Sequence, residues 1–117
     1  MNALTWPAQA RLSRRQEFLR VRAEGTSIRT GFLRWFVLPG TAEARFGIRI
    51  PKANGSAVRR NRLRRILREN LRLRRPEFPP GQYLILMNVP SEIKDAELTP
   101  AVRAEIAKLL KRMGVGE

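Results

Sequence analysis

The chain has 117 residues, 43% of them hydrophobic, which suits one compact domain on the usual scale of about 100 to 200 residues. No apolar run approaches the roughly 20 residues of a membrane helix, and residues 1–10 lack the features of a secretory signal, so we expect a cytoplasmic protein. The absence of cysteine and histidine excludes disulfides, zinc fingers, thiol nucleophiles and histidine general bases.

Positive charge dominates the composition. Lysine and arginine number 24 against 10 acidic residues, a formal net charge of +14. Residues 1–80 hold 19 of the bases and 5 of the acids, whereas residues 81–117 hold 5 of each, so all of the excess lies in the first two thirds. Twenty bases are arginine, whose planar guanidinium pairs with phosphate and stacks on nucleobases. A polyanion such as a nucleic acid is therefore the leading partner, although a thermophilic organism or a GC-rich genome that favours arginine would give the same composition.

The first predicted element is a helix over residues 13–25. Ser13 and Gln16 have the spacing of a capping box, and Gly25 suits the position after a helix end. This helix would present Phe18, Leu19 and Val21 to a neighbouring element.

Two strands are predicted next, over residues 32–38 and 44–50, because both segments are rich in aromatic and β-branched residues. The turn sequence PGTAE between them predicts a hairpin, and residues 27–29 are a candidate for a short extra strand. Alternation places Leu33, Trp35 and Val37 on one face of the first strand and Phe32, Arg34 and Phe36 on the other.

The second half of the chain predicts a helix, a strand and a helix. Residues 56–74 follow a turn and end before Pro76, and residues 83–89 form a short apolar run typical of a buried strand. The last helix is predicted to open at Thr99 and Pro100, with Val102, Ile106, Leu109, Leu110 and Met113 at helical spacing. An α+β fold in which helices cover a small sheet follows.

The central helix carries nine arginines and one acid between residues 59 and 75. At 100° per residue its side chains separate into two faces. The predicted buried face holds Leu63, Ile66, Leu67, Asn70 and Leu73, and the predicted cationic face holds Asn61, Arg64, Arg65, Arg68 and Arg72. Like charges at this spacing repel by roughly 0.2 to 0.5 kcal/mol per pair, so the sequence favours a polyanion over a merely solvated face.

Aromatic residues beside this helix are candidates for nucleobase stacking, and Trp35 is the first of them. The strand pattern fits an ordinary core tryptophan equally well, and Phe18 has the same two interpretations. Acidic residues cluster only at Glu92, Asp95 and Glu97, in a predicted loop or short turn before the last helix. Carboxylates there usually face water, so we expect neither a metal site nor a catalytic residue.

The segment GSAVRRNRLRRILRENLR (residues 55–72) resembles the hallmark helix of the bacterial ribonuclease P protein subunit, with motif G-N-A-V-x-R-N-R. Arg60, Asn61 and Arg62 occupy the R-N-R positions. The segments RLSRRQEFLRV, ARFGIRI and GQYLILMNVP resemble other parts of that family in order and spacing, so the resemblance covers about residues 11–112 of a single RNA-binding domain over residues 1–117.

The resemblance implies a ribosomal-protein-like fold of order α-β-β-β-α-β-α, with a four-stranded mixed sheet and a left-handed βαβ crossover. It implies a protein cofactor of an endoribonuclease whose RNA subunit does the chemistry, cutting the 5′ leader from precursor tRNA. The expected partners are that catalytic RNA and precursor tRNA, without membrane or DNA. Mg²⁺ would be held mainly by the RNA, and the protein alone would bind no cofactor.

Site residues follow from the same resemblance, carried over by position. Those implied to face the leader are Phe18, Trp35, Arg64 and Arg68. Those implied to contact catalytic RNA are Arg59, Arg60, Asn61, Arg62 and Arg65. Further phosphate contacts are expected at Arg14, Arg15, Lys52 and Arg72.

The chain departs from the family pattern before the central helix, at Pro51, Ala53 and Asn54, and also at Arg22 and Asn88. The alternative is a ribosomal or other structural RNA-binding protein without a processing role, and composition does not separate the two. Such a protein would need only the cationic face and no aromatic cleft. A DNA-binding helix-turn-helix would need a second helix close to the arginine helix in sequence, and none is predicted.

Overall fold

The computed structural model describes residues 10–12 and 14–115 of the chain. Three helices and four strands alternate in the predicted order α-β-β-β-α-β-α. They are α1 (Arg15–Glu24), β1 (Thr26–Arg29), β2 (Leu33–Leu38), β3 (Ala44–Arg49), α2 (Ala57–Arg74), β4 (Gly81–Met87) and α3 (Asp95–Arg112), with short 3₁₀ turns at Lys52–Asn54 and Arg75–Glu77. None of the described helices has both the length and the apolar character that crossing a bilayer requires.

The strands form one mixed sheet in the order β1-β2-β4-β3. β2 pairs antiparallel with β1 and β4, whereas β3 pairs in parallel with β4. The predicted hairpin of residues 32–38 and 44–50 is therefore wrong, because β4 lies between these two strands. The physical reason is that β4 is apolar on both faces, and such a strand is stable at the centre of a sheet. The crossover β3-α2-β4 is present, and its left-handed sense stays a prediction.

One face of the sheet packs against α2 and α3 and forms the main core. Trp35, Phe46 and Tyr83 contribute to it from β2, β3 and β4, and each is almost completely buried. Phe78, after α2, closes the aromatic group with its ring centroid 4.9 Å from that of Phe46 and 6.2 Å from that of Trp35.

Hydrogen bonds fix α3 to the turn between β1 and β2. The buried Glu105 carboxylate accepts from the Thr30 hydroxyl at 2.6 Å and from the backbone N–H of Leu33 at 3.1 Å. The Trp35 indole N–H donates to the same hydroxyl at 3.1 Å. The polar groups buried at this end of the core are thus hydrogen-bonded to one another.

Three predicted helix details differ from the structure. α3 begins at Asp95 rather than at Thr99, because the Glu97 carboxylate accepts from the backbone N–H of Lys94 at 2.8 Å and caps an earlier turn. Pro100 lies inside the helix on its exposed side, where water can hydrate the carbonyl that its missing N–H leaves free. On α2, Leu71 is buried and Leu73 is 54% exposed, so the buried face includes the former and not the latter.

Candidate nucleic-acid interface

α1 packs on the opposite face of the sheet, mainly through its first two turns. Glu17 forms an ion pair with Arg45 of β3 at 2.8 Å and also accepts from the backbone N–H of Arg14. Phe18 lies directly over Gly47, where an added Cβ would stand 2.6 Å from the ring. Glycine in the middle of β3 therefore makes room for Phe18. The predicted capping residue Ser13 lies outside the described residues.

A cleft of about 400 Å³ opens between α1 and the ends of β3 and β4. The leucines of β4 form its apolar floor, and α1 and the end of β3 form its walls. Its lining residues are Phe18, Leu19, Arg22, Arg49, Ile50, Pro51, Leu84 and Leu86.

Two guanidinium groups in this cleft stack on aromatic rings. The Arg49 guanidinium carbon lies 5.2 Å from the centroid of the Phe18 ring, and that of Arg22 lies 5.6 Å from the centroid of the Phe36 ring. These distances are typical of cation–π pairs. The cleft therefore combines positive charge with planar groups, which suits phosphates and unstacked nucleobases.

Trp35 does not lie in this cleft, and the prediction that it faces the leader is wrong. Its side chain is 0% exposed and belongs to the core under α2 and α3, where its N–H is hydrogen-bonded. The reason is strand alternation, since Trp35 and Phe36 point to opposite faces of β2. Phe36 is the β2 aromatic residue on the cleft side, and it is 8% exposed beneath α1.

The start of α2 is held firmly. The Ser56 hydroxyl accepts from the backbone N–H of Arg59 at 3.2 Å, as an N-cap should. Asn54, a departure from the family pattern, is buried. Its amide donates to the carbonyls of Pro51 at 2.8 Å and Met87 at 3.0 Å, and its oxygen accepts from the Val89 N–H at 2.8 Å. Asn54 thus fixes the loop before α2 to the end of β4.

The arginines of α2 divide into two groups. Arg59 and Arg62 both form ion pairs with Asp95 at the start of α3, at 3.3 and 3.0 Å, and Arg72 forms one with Glu69 at 2.8 Å. Within the part of the chain that the structure describes, no such pair is found for Arg60, Arg64 or Arg65, although Arg64 donates to the side chain of Asn61.

The pKa of Arg68 shows that positive charges lie close together on the cationic face of α2. Partial burial lowers its pKa, and the neighbouring charges of Arg64, Arg11 and Arg65 lower it further. Arg11 forms an isolated bridge with Phe46 of β3, in the segment that precedes α1, so the charges around Arg68 come from both α2 and that segment. A polyanion would relieve this repulsion.

The remaining predicted contacts lie near the same surfaces. Arg14 and Arg15 are exposed at the start of α1, and Lys52 is exposed in the turn that follows the cleft. Asp95 and Glu97 belong to the first turn of α3 rather than to a loop, and Glu92 precedes it.

The sequence analysis gave no functional role to Arg49 or Gly47 and named Arg22 only as a departure from the family pattern. Two signals were available. An isolated glycine inside a strand indicates close approach of another element, and alternation along β3 places Arg45, Gly47 and Arg49 on one face.

A helix crowded with arginine and a cationic aromatic cleft, both built on a small mixed sheet, define a small RNA-binding protein. The family model described as Ribonuclease P matches residues 6–114. The chain is 32% identical over 117 residues to the Ribonuclease P protein component of Dictyoglomus thermophilum, which covers 97% of this chain and 96% of that protein.

Solved structures agree. The RNase P protein from Thermotoga maritima superposes with a TM-score of 0.76 at 29% identity, covering 87% of this chain and 96% of that one. The RNase P protein of Staphylococcus aureus shares the fold, with a TM-score of 0.78 at 21% identity and coverage of 92% and 98%. The chain belongs to the family of bacterial ribonuclease P protein components, protein subunits of a ribonucleoprotein endonuclease in tRNA processing. Such a subunit associates with the RNase P RNA, which removes the ribosomal alternative.

Proposed function

We propose that the cleft between α1 and the sheet binds the single-stranded 5′ leader of precursor tRNA. The observation that carries this proposal is the pair of cation–π contacts, Arg49 on Phe18 and Arg22 on Phe36, above the apolar floor of the cleft. Guanidinium planes and rings accept nucleobases of any sequence, because every base has a π face. We also place the protein in the cytoplasm, where such a substrate would be found.

The arginines of α2 are proposed to contact RNA phosphates, with Arg64 and Arg68 nearest the leader and the R-N-R residues Arg60, Asn61 and Arg62 nearest the catalytic RNA. The closeness of Arg68 to Arg64 and to Arg11, which lies in the segment before α1, supports this role. Their contribution is electrostatic. Neutralising phosphates of substrate and ribozyme strengthens association, and the effect weakens as salt rises.

Hydrolysis is proposed to belong to the RNA, with Mg²⁺ held mainly by RNA oxygens. The described part of the chain contains no group of three or more acidic side chains placed to hold a metal ion. The protein's task is then to raise substrate affinity and lower the Mg²⁺ concentration that cleavage needs. RNA-free protein should cleave no precursor tRNA at any pH, and cleavage by such a preparation would contradict this assignment.

The test compares precursor with mature tRNA. Arg64→Ala/Arg68→Ala should weaken binding of precursor tRNA to the assembled enzyme more than binding of mature tRNA. The salt slope should fall by roughly 0.7 for each phosphate of the single strand that the variant no longer neutralises. The matched control is Arg20→Ala/Arg74→Ala, which removes the same charge from bases already paired with Glu24 and Glu77. Equal losses on both substrates would show that α2 provides general attraction only.

A further inference from the structure

The register of the sheet aligns three arginines across all four strands. Arg49 of β3 pairs with Leu86 of β4, Leu86 pairs with Arg34 of β2, and Arg34 pairs with Arg29 of β1. Directly paired residues point to the same face of a sheet, so these four side chains lie on the α1 side. We call Arg49, Arg34 and Arg29 the arginine row.

The arginine row begins in the cleft and extends beyond it along the sheet. Arg49 and Leu86 line the cleft, whereas Arg34 and Arg29 lie beyond it on exposed positions of β2 and the edge strand β1. With about 4.8 Å between neighbouring strands, Arg29 stands roughly 14 Å from Arg49. That distance corresponds to about four nucleotides of a stacked single strand, or fewer when the strand is extended.

The charges of the row have no counter-charge among the described residues. None of the three arginines forms an ion pair there, and Arg29 donates only to the backbone carbonyl of Gly31 at 3.2 Å. Like charges directly opposite each other on adjacent strands are destabilising, and Arg29 and Arg34 are such a pair. The sheet retains this repulsion on a surface continuous with the cleft.

The end of the row is rigidly held from the other side of the sheet. Arg112 of α3 donates to the carbonyl of Arg29, Lys108 donates to that of Thr30 at 3.4 Å, and buried Glu105 accepts from Leu33. The β1–β2 turn therefore does not need to reorganise when a ligand binds, which reduces the entropic cost of binding.

We propose that the arginine row is a track for the phosphates of leader nucleotides upstream of those held in the cleft. The proposal rests on leader binding in the cleft and extends it. We assign a single strand to this row because one line of charges across a flat sheet matches the phosphates of one nucleic-acid backbone. Leu86, which lies between Arg49 and Arg34, leaves an apolar position between those charges. The row therefore sets how much of a long leader the protein contacts.

The experiment measures the affinity of the assembled enzyme for precursor tRNAs whose leaders range from about 2 to about 10 nucleotides. Arg29→Gln/Arg34→Gln should bind short leaders as the unmodified protein does. It should lose roughly tenfold in affinity for long ones, with a salt slope smaller by about 1.4. Arg29→Lys/Arg34→Lys keeps the charges and should restore most of the loss.

The matched control is Lys94→Gln/Lys111→Gln, which removes the same charge from two exposed positions at the two ends of α3, on the other face of the sheet and away from the β1–β2 turn. Thermal unfolding confirms that each variant is folded. Equal losses in the control and test variants, or no loss in the test variant, would overturn the track. Phe18→Ala separates the two proposals. If neither Phe18→Ala nor Arg29→Gln/Arg34→Gln changes how affinity depends on leader length, the cleft itself does not bind the leader. If Phe18→Ala removes this dependence and Arg29→Gln/Arg34→Gln does not change it, only the arginine row fails as a phosphate track.

Discussion

The two faces of the sheet differ in how completely helices cover them. The face under α2 and α3 is apolar, and its buried polar groups, such as Glu105 and Thr30, are hydrogen-bonded to each other. The face under α1 is covered by one short helix and leaves Arg34 and Arg49 exposed beside a small apolar cluster. One face supplies stability, and the other remains open to a ligand because it is incompletely covered.

Of the substitutions that test this difference between the two faces, Trp35→Ala should have the largest effect. We expect a loss of about 3 to 5 kcal/mol in the free energy of unfolding, because a fully buried ring is removed from the stabilising face. Chemical denaturation measures this loss. At a temperature where the variant is folded, its affinity should still increase with leader length. A stable variant whose affinity no longer increases with leader length would show that Trp35 contacts the ligand instead.

Gly47→Ala tests how tightly α1 fits the open face. The new methyl group would meet the Phe18 ring at 2.6 Å, so the ring or the helix must move, at a cost of roughly 1 to 3 kcal/mol in stability. Phe18→Leu in the same chain should recover part of that cost, giving a coupling in a double-mutant cycle. Strict additivity of the two changes would show that the contact does not determine the position of α1.

Phe18→Ala measures the ligand face directly. We expect a loss of about 1 to 3 kcal/mol in binding of leader-bearing precursor tRNA, because a stacking platform is removed. Binding of mature tRNA, measured in the same titrations, should change little. Arg20→Ala, at an exposed position two residues along α1, is the control. An equal loss for both tRNAs would assign Phe18 to packing of α1 alone.

Asp95→Asn should have the smallest effect. The exposed carboxylate pairs with Arg59 and Arg62, so its loss should cost only about 0.2 to 1 kcal/mol in stability. Both arginines would then be available to phosphate, and affinity for the RNase P RNA should rise severalfold at low salt. Weaker RNA binding would mean that Asp95 positions these arginines rather than competing for them.

Local patterns predicted much of this architecture. Periodicity located α2 and β4 to within a few residues, since an N-cap serine, a following proline and a bounded apolar run are short-range signals. Pairing of strands was not predictable in the same way. The turn between β2 and β3 suggested a hairpin, but the position of β4 between them depends on packing across the whole sheet.

The candidate site divides similarly. The density of arginine on α2 is visible in the sequence, whereas the neutralisation of Arg59 and Arg62 by Asp95 joins residues more than 30 positions apart. Alternation along β2 already separated Trp35 from Phe36 but could not say which face α1 would cover. The arginine row could not be predicted either, because it depends on the order and register of four strands.

The central position of β4 also has a consequence for synthesis. During translation, β2 and β3 emerge before the strand that joins them, and the arginine helix α2 emerges before the sheet that buries its apolar face is complete. Pairing across so many residues closes a long loop and is slow compared with helix formation. The nascent chain therefore displays a cationic helix before it has a folded domain, and we expect the ribosome's own RNA to compete with RNase P RNA for it until β4 is released.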